Sequence, residues 1–134
     1  MKRTLMPSYD MTHVHTTAQR EIIPEDQLPI IPLAEVRQHN DRKDAWIVIN
    51  GDVFDVTTYA RSHPGGMSIF GSLHQVDSTP CFALHHRSQR AFDRAKSLRI
   101  GRLSPEDYQQ LKDDVEAERV AENERIMKRF GGQQ

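Results

Sequence analysis

From Ala45 to Thr57 the chain reads AWIVINGDVFDVT, two runs of apolar, β-branched and aromatic residues meeting at Asn50-Gly51. The pattern predicts two strands joined by a tight hairpin, because Asn-Gly accepts positive φ at both central positions of the turn. Upstream, PIIPLAEVRQHN predicts a short strand, then one or two helical turns opened by Pro32, with Leu33 and Val36 inward. Downstream the pattern becomes helical. A short helix in TTYARS ends just before His63, since Pro64 disfavours helical backbone at the residue preceding it and Gly65-Gly66 interrupt regular structure. MSIFGSLHQV predicts one helix. DSTPCFALHH predicts another, with Asp77, Ser78 or Thr79 as cap and Pro80 in the first turn. SQRAFDRAKSLRIG predicts a third, with Ala91, Phe92, Ala95 and Leu98 along one face, and RIGRL closes the periodic region.

The flanks differ from this middle. Residues 1–28 are polar and without period, too poor in large apolar groups to offset the entropy of ordering, so they are expected to be disordered. Residues 104–134 are charged. Ser104 is a good N-cap, Pro105 suits the first helical position, and Asp107 sits where a capping box places its acid. Tyr108, Leu111 and Val115 form a short apolar stripe, predicting one long helix docked by its first turns and solvated beyond them. The expected organisation is a tail over 1–28, a folded domain over 29–103 and a charged helix over 104–134.

Composition narrows the class. With 134 residues and 37% hydrophobic content, one domain with a small core is expected. The lone Cys81 excludes an internal disulfide framework and fits a reducing compartment. The first twenty residues lack the apolar stretch of a secretory signal, and no apolar run reaches the roughly 18–20 residues of a membrane span. A soluble, cytoplasmic protein without membrane anchor or nucleic-acid partner is therefore expected.

The histidines carry the candidate chemistry. His63 is presented by the Pro64-Gly65-Gly66 turn, and His85-His86 close the helix that begins near Asp77. Three readings compete. The histidines can be ordinary surface or core residues. Cys81 and His85, at i and i+4, can join His63 on a zinc ion. Or two histidines from facing helix ends can bind one haem iron from both sides, with apolar residues around the ring and glycines where backbone approaches it. Phe70, Leu73, Val76, Phe82, Leu84 and Phe92 are the apolar candidates.

The stretch PLAEVRQHNDRKDAWIVINGDVFDVTTYARSHPGG resembles, almost element by element, the opening segment of the cytochrome b5-type haem-binding domain family. The likeness extends from about Ile31 to Leu103. His63 takes the place of that family's first axial ligand. Asp77, Thr79, Phe82 and His86 fit its Asp-x-Thr-x-x-Phe-x-x-x-His pattern without a gap, and His86 follows His63 by 23 residues, a spacing used in the family. The resemblance implies an α+β fold in which a small mixed sheet supports two helix pairs that form a haem cleft. It implies haem b held by His63 and His86. Pro64, Gly65, Gly66, Phe70, Leu73, Phe82 and Phe92 would line the pocket, and Arg87 and Ser88 would meet the propionates. His85 is the alternative to His86, since neighbours on a helix point about 100° apart and only one can face the iron. The chain departs from the family at His74-Gln75, where an Ala-Gly pair is common, at Arg87, where Ser or Ala is usual, and by one extra residue before RIG.

With both axial positions filled, the resemblance implies one-electron transfer rather than oxygen chemistry, by a monomer with no catalytic residues of its own. The implied donor is a flavoprotein NAD(P)H-dependent reductase, and the acceptor another redox protein. Haem handling without electron traffic, and a zinc-binding or interaction module, are the alternatives. Family members commonly ring the haem edge with carboxylates. Here Arg61, Arg87, Arg90, Arg94, Lys96, Arg99 and Arg102 face only Asp77 and Asp93 between positions 61 and 102. A basic rim and an acidic acceptor are expected, with the acidic 104–134 segment able to lie over that rim.

Overall fold

A computed structural model describes residues 22–63, 69–70, 73, 75–85 and 89–131. At its centre is the hairpin the sequence predicts. Strands β2 (Asp44–Ile49) and β3 (Asp52–Asp55) pair antiparallel, with Ile47 opposite Phe54 and Val48 opposite Val53. Asn50 and Gly51 form the turn at φ 52° and 86°, both in the left-handed region that a tight hairpin requires. β1 (Asn40–Asp41) and β4 (Arg99–Arg102) flank them, giving a four-stranded sheet in the order β1-β2-β3-β4. The named strands pair antiparallel, and isolated parallel bridges join Ile30 to Arg102 and Val48 to Asp77.

Successive strand residues point to opposite faces, and here both faces are covered. Trp46, Val48 and Val53 enter one cluster with Ile31, Leu33, Val36, Ile100 and Leu111. Ala45, Ile47, Ile49 and Phe54 enter a second with Val56, Phe70, Leu73 and Leu98. Helix α1 (Leu33–Val36) and the long α4 (Pro105–Phe130) serve the first cluster. Helices α2 (Thr79–His85) and α3 (Gln89–Leu98) pack on β2 and β3. This is the expected α+β class. Half of the helix anticipated in MSIFGSLHQV (residues 67, 68, 71, 72 and 74) lies outside the described residues, and its last residue, Val76, is left-handed rather than helical.

Helix α4 is docked as its stripe predicts, with Leu111 fully buried and Tyr108 and Val115 packed at the edge of the first cluster. Ser104 caps it, accepting the Asp107 amide at 3.0 Å. The Asp107 carboxylate reaches across to accept the Leu33 amide at 2.9 Å. It thereby caps α1, whose own N-cap residue, Pro32, has no side chain for the task. Arg37 and Asp114 add an ion pair at 2.7 Å between the same two helices. Next to α1, the buried His39 ring stacks on Trp46 at 3.6 Å, with Asp44 at 2.7 Å from Nδ1 and Glu35 at 2.9 Å from Nε2.

The expected disordered tail over 1–28 does not hold at its end. Residues 25–27 form a 3₁₀ turn, Leu28 is buried, and Glu25 pairs with Arg99 at 3.0 Å and Arg102 at 2.5 Å. Residues 1–21 lie outside the described residues. The Arg99 charge, assisted by Arg102 and opposed by desolvation, holds the Glu25 carboxyl below its usual range. A carboxyl lowered by folding stabilises the fold above its unfolded pKa, and that contribution is lost as pH falls through the folded value. Glu25→Gln should therefore be less stable than wild type at neutral pH. The gap should close on acidification below the ordinary glutamate range, as read by urea unfolding at both pH values. A gap that persists in acid would show that the Glu25 charge is not its source.

Candidate functional site

The site begins with a turn. Val56, leaving β3, accepts the Tyr59 amide at 3.1 Å and starts the 3₁₀ turn Tyr59–Arg61. The Ser62 and His63 amides both donate to the Tyr59 carbonyl, at 2.8 and 2.9 Å, so His63 follows directly from a closed turn anchored on the sheet. Its half-buried ring meets Tyr59 edge-on, with centroids 5.5 Å apart. Arg94 of α3 holds its guanidinium 5.5 Å from the centre of the same Tyr59 ring, within cation–π range. Sequence reasoning missed Tyr59 as the residue joining His63 to α3, because nothing in the spacing of positions 59, 63 and 94 signals it.

A second anchor fixes α2. Ser78 donates its amide to Val48 at 2.7 Å, and Asn50 donates its amide to the Thr79 hydroxyl at 2.8 Å. Asp77 accepts from both the Thr79 amide and its hydroxyl, at 3.1 and 2.7 Å, supplying the expected cap. Just before it, Val76 adopts φ 71°, a left-handed conformation that costs a β-branched residue about 1–3 kcal/mol. The position is buried in the first cluster and its carbonyl accepts the Val48 amide at 3.0 Å, so packing and the sheet hold the strain. No sequence signal marked it, since glycine or asparagine is the usual occupant of such a site. Helix α2 runs from this fixed end to His85, its last residue.

Between these anchors lies an apolar wall. Phe70 and Leu73 are buried in the second cluster, and Phe82 is packed against it. Phe82 meets Phe92 edge-to-face at 5.4 Å. The sequence grouped Phe92 with Ala91, Ala95 and Leu98 on one inward face. Leu98 is indeed buried, but Phe92 is 45% exposed, at the margin of that face. An aromatic ring half in water beside another aromatic is apolar surface that a flat hydrophobic ligand would cover. The described residues thus fit the group that the resemblance implies: an imidazole following a hydrogen-bonded turn, and Phe70, Leu73 and Phe82 at the core cluster against which Tyr59 of that turn packs, with Phe92 beside Phe82. Pro64, Gly65, Gly66, His86, Arg87 and Ser88 lie outside the described residues, as does the side chain of His85.

The basic residues do not all belong to this region. Arg99 is paired with Glu25 and with Asp52 at 3.1 Å, and Arg102 with Glu25. Both are on β4, so neither contributes an unopposed charge to the expected rim. The acidic helix is also displaced from it. Its anchoring turns pack on α1 and the first cluster, whereas Tyr59 and Phe82 belong to the second.

The sequence signature of the family described as "Cytochrome b5-like Heme/Steroid binding domain" matches residues 32–104. Cytochrome b5 isoform B of Arabidopsis thaliana is 36% identical over 80 residues, 60% of this chain and 60% of that protein. Nitrate reductase [NADH] 1 of Phaseolus vulgaris is 41% identical over 76 residues, 57% of this chain but 8% of the enzyme. The NADH-cytochrome b5 reductase-like protein alnC of Emericella nidulans is 41% identical over 73 residues, 54% of this chain and 16% of that protein. The chain thus spans less than two thirds of the length of each.

Proposed function

The chain belongs to the cytochrome b5-like haem/steroid-binding domain family, and from that membership we propose that it is a one-electron carrier, with haem b ligated by His63 and His86. The family binds haem, and when bound the group supplies an iron that passes between ferric and ferrous states. What the protein contributes is position and exclusion of water. The Tyr59 turn holds His63, and His86, the second ligand in this reading, follows the last residue of α2 in sequence. Phe82 and Phe92 would cover the ring with Phe70 and Leu73 behind them, and Arg87 or Ser88 would pair with the propionates. Ligation by both histidines would leave the iron no site for oxygen or substrate, which favours outer-sphere electron transfer. The observation that carries the reading is the half-buried His63 on its closed turn, whose Tyr59 packs against the same core cluster as Phe82 of the part-exposed Phe82–Phe92 pair.

Two relatives named for NADH chemistry carry the matched stretch as a minor part of their length. This supports a flavoprotein NAD(P)H-dependent reductase as the electron donor, acting on a monomeric carrier that is not itself an enzyme. No helix among the described residues is long and apolar enough to cross a membrane. The decisive experiment is the optical spectrum of the haem-loaded protein in both redox states, followed by mixing with such a reductase and NADH. Low-spin, six-coordinate haem b reduced within the mixing experiment is expected. A high-spin spectrum would remove bis-histidine ligation, and a low-spin haem that the reductase leaves ferric would favour haem handling.

Phe82→Ala tests the wall. Losing about half of a phenylalanine's burial should weaken haem retention by about 1.4 kcal/mol, or roughly tenfold. Faster transfer of haem to apomyoglobin is the measurement. Transfer at the wild-type rate would place Phe82 away from the haem.

A further inference from the structure

Building on the haem-carrier reading, we infer that Arg61, Arg90 and Arg94 form a basic docking surface beside His63, fitted to an acidic redox partner. Arg61 ends the turn that presents His63, and Arg94 lies over Tyr59, the ring that touches His63. Arg90 is one turn before Arg94 on α3, at the i, i+4 spacing that puts two side chains on one face. All three are exposed.

Little opposes them. Between Thr57 and Leu98 the carboxylates are Asp77 and Asp93. Asp77 is buried and engaged by Thr79. Asp93 accepts a hydrogen bond from Gln89 at 2.9 Å. The other arginines that share a strand with this part of the fold, Arg99 and Arg102, already have Glu25 and Asp52. Of the acids of α4, Asp107 and Asp114 bond to α1 and Arg37 at the other core cluster, and Glu116 and Glu122 pair with Arg119 and Arg125 of α4 itself. Charge is thus segregated within a chain of formal net charge −1.

That net charge makes the sign diagnostic. A chain of formal charge −1, made more negative by the propionates of bound haem, repels anions when it acts as a whole, and salt would speed its reaction with them. A local positive field beside the haem attracts anions, and salt would slow the reaction.

The test is stopped-flow oxidation of the ferrous protein by hexacyanoferrate(III) and by tris(phenanthroline)cobalt(III) across a salt series. The inference expects the anion's rate to fall and the cation's to rise with salt. It expects the triple variant Arg61→Glu, Arg90→Glu, Arg94→Glu to lose about tenfold in rate with the anion at low salt and to reverse its salt trend. A second readout needs no electron transfer. Poly-L-glutamate titrated into the ferrous protein should shift the arginine Nε–H NMR signals of Arg61, Arg90 and Arg94. Shifts confined to Arg125 and Arg129, the basic end of α4, would overturn the inference, as would an anion rate that rises with salt in the wild type. Failure of the haem-carrier reading itself looks different, because the low-spin spectrum would then be missing before any oxidant is added.

Discussion

His63→Ala is expected to abolish stable haem binding. His63 follows directly from the Tyr59 turn, and the hydrogen bond of its amide to the Tyr59 carbonyl would survive the substitution, so the turn should persist without its ligand. Removing a residue that merely supports a metal ligand costs up to about a hundredfold in affinity, and removing the ligand itself should exceed that. Stability follows, because a ligand present at a thousand times its dissociation constant stabilises the fold by about 4 kcal/mol. The variant should purify without a Soret band and melt like the apoprotein. His86→Ala should bind no haem or leave it five-coordinate and high-spin, while His85→Ala should keep the low-spin spectrum. If His85→Ala loses that spectrum and His86→Ala retains it, His85 is the second ligand. A low-spin haem surviving in His63→Ala would remove His63 from the site.

The parts of this fold legible in the sequence are those fixed by local chemistry. Asn50-Gly51 determines a hairpin because few other pairs take positive φ twice. Ser104 and Pro105 mark the start of α4 for equally local reasons. What escaped the sequence depends on distance along the chain. Asp107 looks like a capping-box acid for its own helix, yet it caps α1, 74 positions away. Glu25 looks like part of a featureless tail, yet it neutralises two arginines of β4. A count of basic residues between positions 61 and 102 therefore overstated the rim, since sequence shows charge but not its partner. Val76 escaped for a different reason. Its left-handed backbone is imposed by the sheet and the core, and local preference argues against it. At the candidate site, the motif singles out His63 and His86 as the histidines to test, whereas the Tyr59–Arg94 contact needed the fold.

Leu111→Ala is expected to cost about 2–5 kcal/mol, the range for truncating a fully buried leucine. The apolar stripe of Tyr108, Leu111 and Val115 alone suggests a helix whose loss the domain would tolerate. The structure makes its first turns part of the core. Leu111 has no exposed surface and shares a cluster with Leu33, Val36 and Trp46. Tyr108 packs over the hairpin at Gly51, where an added Cβ would come within 3.2 Å of its ring. Asp107 caps α1, and Asp107→Ala should cost about 1 kcal/mol more, typical of losing such a cap. Small domains have only about 5–15 kcal/mol of net stability, so the two changes together would leave the apoprotein close to unfolding. The haem spectrum should change little, because Leu111 belongs to the cluster opposite the one that backs His63 and Phe82. Urea unfolding of the apo and haem-loaded forms measures the first expectation, and the Soret band at low denaturant the second. A loss below about 0.5 kcal/mol, the range of an ordinary surface substitution, would show that α4 is an appendage. Loss of the low-spin band without unfolding would show that the sheet couples its two faces.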